Sequence, residues 1–403
     1  MALLLSLLGG CAGAPAGGTS FAGFDQRARA GEALNVVFFG GSLTWGANAS
    51  DPNVTSYRGL LAQHLRQAYP LARWRFHDAA IGGTNSQLAA FRLGRDVLDH
   101  QPDLIFLDFT ANDDLLWTDA QKLAAFESLV RRIITEARCP VVMMILPFRD
   151  HVEKYEVEAL KRREAHLRIA QAYHVPVADA VTLVRDAVRN GADPARLWPF
   201  DRVHPGDEGY ELFAQAGWAA MQGAIAEQQV CAAPPTMLHG QAYMHTARVP
   251  VASLPLPAGW QTDRVNVNGA FFDMLPSRWL DSIVVARRGD EPQPLEYRFH
   301  GGMVAVLGEK TTRSGKFRAM IDGQYVMSQS ADQAAQPKLF DASSIRFGGN
   351  VLLFEVLATG LDPAVSHTVR IEPIYDSDKA QELRLSAICV AGPVAASNDV
   401  LAK

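Results

Sequence analysis

A serine hydroxyl attacks a carbonyl only when a neighbouring base removes its proton. A serine hydrolase must therefore hold Ser, His and usually a carboxylate in mutual hydrogen-bond reach. Gly40-Gly41-Ser42-Leu43 stands directly after the apolar run 34–40. If that run is a strand, Ser42 lies on the sharp turn at its carboxyl end, where α/β sheets bind ligands, and the glycines permit close approach of a substrate. Asp201-Arg202-Val203-His204 leaves two residues between a carboxylate and an imidazole. On a turn this spacing lets the carboxylate hold Nδ1 while Nε2 faces a nucleophile. Taken singly, Gly-Gly-Ser is also an ordinary turn, and the second pair is also an exposed histidine ahead of Pro205 and a helix cap.

The tetrahedral intermediate of acyl transfer needs hydrogen-bond donors already aimed at its oxyanion. Ile81-Gly82-Gly83-Thr84 follows a second apolar run and offers backbone N–H groups, and Thr110-Ala111-Asn112-Asp113 follows a third and offers the Asn112 amide.

These residues need a frame, and the sequence from 34 to about 228 alternates short apolar runs with longer amphipathic ones, the pattern of a parallel sheet with helical crossovers. Strands are predicted at 34–40, 74–81, 104–109, 141–146 and 175–179, and helices at about 56–69, 86–99, 119–137, 152–173 and 206–227. Five strands with intervening helices predict a flavodoxin-like three-layer α/β/α sandwich. Beyond Cys231-Ala232-Ala233-Pro234-Pro235 the helical period fades. Runs at 282–286, 316–321, 351–357, 367–371 and 382–390, with an Asp322-Gly323 turn, predict an all-β sandwich of seven to nine strands. The expected division is a leader and linker at 1–30, a catalytic domain at 31–229 and a jelly-roll-like β-sandwich domain at 230–403.

The order Gly-Gly-Ser-Leu, Gly-Gly, Asn-Asp, Asp-x-x-His resembles the four blocks of the SGNH (GDSL-like) hydrolase superfamily over about half the chain. The resemblance implies the SGNH hydrolase fold and a serine esterase. Ser42 would be the nucleophile, His204 its base and Asp201 the acid that orients it. Ser42 N–H, Gly82 N–H and the Asn112 side chain would form the oxyanion hole, with Gly83 the alternative to Gly82. Two positions depart from the family: its usual Asp before the serine is Gly41, and its usual Gly two residues before the Asn is Thr110. Gly41 removes a carboxylate that often braces the nucleophile loop, and Thr110 is expected to put bulk near the oxyanion site.

Length and charge narrow the function classes. The chain has 403 residues, 48% hydrophobic and 20% charged, with net charge −5 and pI ≈ 6.1. No Lys/Arg block gives an electrostatic reason for a nucleic-acid partner. No cofactor and no metal are expected, because no Cys/His cluster has zinc-ligand spacing. The opening apolar run, closed by Leu8-Gly9-Gly10-Cys11, resembles a bacterial lipobox, although no Lys or Arg precedes it. It predicts export to the periplasm or cell envelope and membrane attachment through a lipid on Cys11. The remaining cysteines, Cys139, Cys231 and Cys389, allow at most one disulfide; Cys231 with Cys389 is one reading and three buried thiols the other.

An exported SGNH domain joined to a β-sandwich resembles polysaccharide acetylesterases, so the expected substrate is a small acyl ester, acetyl above all, on a carbohydrate. Trp260, Trp279 and Tyr325 are either sugar-stacking residues or sandwich core, with core favoured. The alternatives are an O-acyltransferase of envelope glycans, a lipid esterase or thioesterase, and a glycan-binding lipoprotein whose hydrolase site has decayed.

Overall fold

The structure is a computed structural model that describes residues 18–265, 280–328, 335–346, 350–376 and 380–393. Cys11 and Trp279 lie outside them.

The first half runs α1 (Phe21–Arg29), β1 (Ala33–Gly40), α2 (Ser42–Trp45), α3 (Tyr57–Ala68), β2 (Arg73–Ala80), α4 (Ser86–Asp96), β3 (Leu104–Asp108) and α5 (Ala120–Arg132). It continues through β4 (Val141–Ile145), α6 (Arg149–Glu153), α7 (Lys161–Ala172), β5 (Val177–Asp179), α8 (Ala180–Arg189), α9 (Pro194–Leu197) and α10 (Asp207–Ala226). The five strands form one parallel sheet in the order β2-β1-β3-β4-β5. Every residue of β3 and β4 is buried, as expected where helices cover both faces. The expected sandwich is the observed fold.

Two parts of the expectation need correction. The stretch taken as linker contains α1, capped by Ser20, with Phe21, Phe24 and Ala28 at helical spacing inside the first core. The single charged helix expected at 152–173 is broken into α6, a 3₁₀ turn at Val157–Ala159 and α7. Arg185 accounts for the break, since its Nη1 donates to the carbonyls of His151, Val152 and Tyr155. Those oxygens leave the helical ladder for a side chain.

The second half is β-rich. It runs β6 (His245–Pro250), β7 (Trp260–Asp263), β8 (Ile283–Arg287), β9 (Leu295–His300), β10 (Met303–Thr311), β11 (Lys316–Ile321), β12 (Gln324–Tyr325), β13 (Phe340–Asp341), β14 (Asn350–Thr359), β15 (Ser366–Ile374) and β16 (Glu382–Gly392). Among the described residues this makes eleven strands rather than seven to nine; β12 and β13, two residues each, are too short to leave a periodic signal. One sheet has the order β14-β10-β16-β8-β7 with β6 also paired to β16, and the other has β12-β11-β15-β9 with β13 paired to β11. Asp322 and Gly323, both at positive φ (51° and 81°), make the two-residue turn between β11 and β12.

The first of these sheets is buried on both sides. Val304, Val306, Val284, Ala286, Ile388 and Val390 point into the sandwich core. Their alternating neighbours Met303, Ala305, Leu307, Ile283, Val285, Ala387, Cys389 and Ala391 belong to the core of the first half. All eleven residues of β16 are buried. Polar ties cross the same boundary: Gln87 Nε2 donates to Tyr243 OH at 2.8 Å and Arg132 Nη1 to Thr246 Oγ1 at 3.1 Å. Cys139, Cys231 and Cys389 are free and buried, so Cys231 and Cys389 are not bridged. Trp260 is core, its indole donating to Gln293 O, and Tyr325 is partly exposed and bonded to Glu372. No helix among the described residues is long and apolar enough to cross a membrane.

Candidate active site at the carboxyl rim of the parallel sheet

Gly40, the last residue of β1, pairs in register with Ala80 of β2 and Asp108 of β3. Three adjacent strands therefore end level, and their loops carry Ser42, Gly82-Gly83 and Asn112. Strand order reverses on the two sides of β1, which makes this the crevice where open α/β sheets take ligands. The Asp201–His204 turn enters the rim from the segment before α10.

Ser42 opens the one-turn helix α2, and its Oγ lies 2.9 Å from His204 Nε2. His204 Nδ1 is 3.0 Å from Asp201 Oδ2. Asp201 Oδ1 accepts from the backbone N–H groups of Val203 and His204, each at 2.6 Å. Burial raises the Asp201 carboxyl, but the hydrogen bonds from His204 and Val203 outweigh it and hold the group below the usual carboxylate range. The structure thus brings together Ser42, His204 and Asp201 from stretches 160 residues apart. Ser42 is 8% exposed, almost wholly shielded from bulk water.

A residue that the motifs do not reveal completes this group. Asn48, in the loop after α2, donates from Nδ2 to Asp201 Oδ2 at 2.8 Å and to His204 O at 3.3 Å. Its φ is +69°, a region that asparagine tolerates better than most residues. With it, the Asp201 carboxylate accepts four hydrogen bonds. A lone Asn in a loop has no periodicity and no neighbour in sequence to announce it.

Both departures from the family pattern find physical reasons. A Cβ on Gly41 would stand 2.2 Å from Asn112 Oδ1 and 3.0 Å from its Cγ, so glycine here is what lets the Asn112 amide lie against the nucleophile turn. The brace that a carboxylate at 41 would give comes from β3 instead. Thr44 Oγ1 donates to Asp108 Oδ2 at 3.0 Å and accepts from Tyr57 OH at 2.8 Å. Burial pushes Asp108 up to about 7, with the Thr44 bond opposing and the nearby Asp113 charge adding to the rise. The Thr110 hydroxyl is fully buried between Met144 O and His166 Nδ1, at 3.4 and 3.0 Å, so threonine at this position ties the end of β3 to β4 and α7.

The donor loops are tied to one another. Arg92 of α4 donates to Gly40 O, Ala79 O and Thr84 Oγ1 at 2.8, 2.6 and 3.2 Å, with its guanidinium 4.5 Å from the Phe39 ring centroid. Ser86 N donates to Asp113 Oδ1 at 3.0 Å, linking the Gly82 and Asn112 loops. Gly83 has φ +74° within the turn closed by Thr84 Oγ1 on Ile81 O, which accounts for glycine at the second position of the pair.

Residues 38–212 match the model of the GDSL-like Lipase/Acylhydrolase family. No curated protein matches the chain. A two-domain esterase (CEX) active on acetylated mannans is similar over 92% of this chain and 94% of its own, with 22% identity and a TM-score of 0.72. The same esterase co-crystallised with mannopentaose is similar over 93% of this chain and 94% of its own, with 22% identity and a TM-score of 0.71. An acetylxylan esterase from Geobacillus stearothermophilus is 20% identical over 47% of this chain and 94% of its own, with a TM-score of 0.41. The likeness to the two-domain esterase is one of fold, and it spans both halves.

Proposed function

Given that this chain, through residues 38–212, belongs to the GDSL-like Lipase/Acylhydrolase family of ester hydrolases, we propose that it removes small acyl groups, acetyl above all, from a carbohydrate by a Ser-His-Asp acyl-enzyme mechanism. The observation that carries the mechanism is the continuous hydrogen-bonded line from Ser42 Oγ through His204 to Asp201.

His204 Nε2 takes the Ser42 proton as Oγ attacks the ester carbonyl, and the resulting oxyanion is met by Ser42 N–H, Gly82 N–H and the Asn112 side chain. Collapse of the intermediate expels the sugar hydroxyl, which leaves with the proton returned by His204. Water, deprotonated by the same imidazole, then cleaves the acyl-enzyme and restores Ser42. Asp201, held ionised by its hydrogen bonds, stabilises the imidazolium formed in each half-reaction.

The substrate reading is supported by the whole-chain neighbour, which acts on acetylated mannans. Acetate release from acetylated mannan and xylan oligosaccharides, set against a chain-length series of 4-nitrophenyl esters, is the test. Acetyl esters are expected to be the best of the series, and Ser42→Ala is expected to lower turnover by about 10⁴-fold or more. A variant that hydrolyses at the wild-type rate would overturn the mechanism, and a preference for long acyl esters would overturn the substrate class. Export with a lipid on Cys11 belongs to the same reading, and retention of a Cys11→Ala protein in the membrane fraction would argue against the anchor.

A further inference from the structure

The chain turns at Pro199, so two nearby aromatics part company: Trp198 is buried in the first core, whereas Phe200 is 76% exposed, immediately before Asp201. Leaving a phenyl ring in water forgoes the free energy of burying it, and a large exposed ring beside Asp201 is the feature expected of a stacking surface.

Phe200 forms part of a pocket of about 590 Å³, well within the range of ligand sites. Ala49 and Pro199 extend its apolar floor. Its polar wall comes from Asn48, from Ser50 bonded to Asp207 (2.6 and 2.8 Å), and from Arg196 paired with Glu208. The pocket adjoins the Asp201 side of the triad: Asn48, which lines it, also donates to the Asp201 carboxylate and the His204 carbonyl. His204 Nε2 gives its proton to the leaving alcohol, so the sugar oxygen lies on the His204 side of Ser42, with the carbonyl oxygen toward Gly82 and Asn112.

The pocket's chemistry narrows its occupant. Two carboxylates against one guanidinium disfavour uronates and phosphates, while side chains that both donate and accept suit hydroxyl groups. The apolar floor suits the C–H face of a sugar ring. We propose that this pocket is a subsite for a neutral pyranoside unit of the acylated substrate, next to the unit whose ester is cut, with Phe200 as its stacking platform. This rests on the carbohydrate reading above.

The test compares Phe200→Ala and Phe200→Trp with wild type on acetylated mannooligosaccharides and on 4-nitrophenyl acetate. In Phe200→Ala the ratio of kcat/KM for the oligosaccharide to that for 4-nitrophenyl acetate is expected to fall about 3- to 10-fold, carried by KM, with Phe200→Trp restoring it. Unacetylated mannopentaose is expected to inhibit 4-nitrophenyl acetate hydrolysis by wild type and to inhibit Phe200→Ala more weakly. Equal changes on both substrates, no change, or loss of a self-association seen in sedimentation without a change in the ratio would overturn the subsite. Wild-type enzyme that cleaves 4-nitrophenyl acetate, releases no acetate from any glycan and is not inhibited by the free oligosaccharide would overturn the carbohydrate reading and the subsite with it. Acetate release by wild type with an unchanged ratio in Phe200→Ala would remove the subsite alone.

Discussion

The rim that carries Ser42 and the sheet that backs the first half are built in opposite ways. At the rim the chemistry stands on loops, tied by side chains such as Asn48, Arg92 and Asp108 that reach for backbone atoms and hydroxyls. Behind α4 and α5, the sheet centred on β16 meets the first half through interdigitated apolar residues, and every residue of β16 is buried. The contrast separates two tasks. Directional hydrogen bonds set geometry to fractions of an ångström at the reacting atoms, whereas close packing supplies the rigid backing against which α4, and the Gly82 loop before it, is held.

If that division holds, the largest response to mutation comes from the dry face. Leu307→Asp places a carboxylate in a buried apolar cluster, and is expected to lower the melting temperature by roughly 5–10 °C or to prevent folding. A melting curve within about 1 °C of wild type would show that the boundary is not close-packed. Gly41→Ala comes next. Its Cβ must displace the Asn112 amide, so kcat is expected to fall by about 10²-fold with KM and melting temperature little changed. Unimpaired turnover would show that Asn112 donates nothing to the transition state.

A smaller effect is expected at Asn48. Asn48→Ala and Asn48→Gly should each lower kcat by about 10-fold, through looser hold on Asp201. Glycine adopts the positive φ freely, so wild-type activity in Asn48→Gly would assign the residue a backbone role alone. The smallest effect is a slope. Asp108 keeps its proton in the folded chain up to about 7 but would release it near the ordinary carboxylate value of 3.8 when unfolded. Between those values the folded state binds more protons, so this group's contribution to stability falls as pH rises and levels off above about 7. Asp108→Asn is expected to flatten that fall in melting temperature measured from pH 4 to 8. An identical slope would mean that Asp108 does not carry it.

The frame and the reactive groups were legible for different reasons. The strands of the parallel sheet announce themselves as short apolar runs because both faces are covered, and the four motifs survive as residue types at strand ends. Helix α1 carried a sequence signal of its own, Ser20 followed by Phe21, Phe24 and Ala28, but it sits next to an Ala/Gly-rich stretch that reads as linker. Asn48, the reach of Arg92 to Gly40 and the Gly41–Asn112 approach are products of tertiary closure, with partners tens of residues away or more, so no local pattern records them. Nor does alternation in β8, β10 and β16 tell which partner each face will meet. Both faces are apolar there, and period two only says that there are two.

The order of strands along the chain differs from their order in space. Among the described residues β16 is the last strand in sequence, yet it lies at the centre of its sheet, where β10, β8 and β6 all pair with it. During synthesis those three strands emerge from the ribosome long before the partner that joins them, with unpaired edges and an apolar face awaiting cover. A nascent chain that stops short of residue 382 therefore lacks the strand that joins β10, β8 and β6 into one sheet.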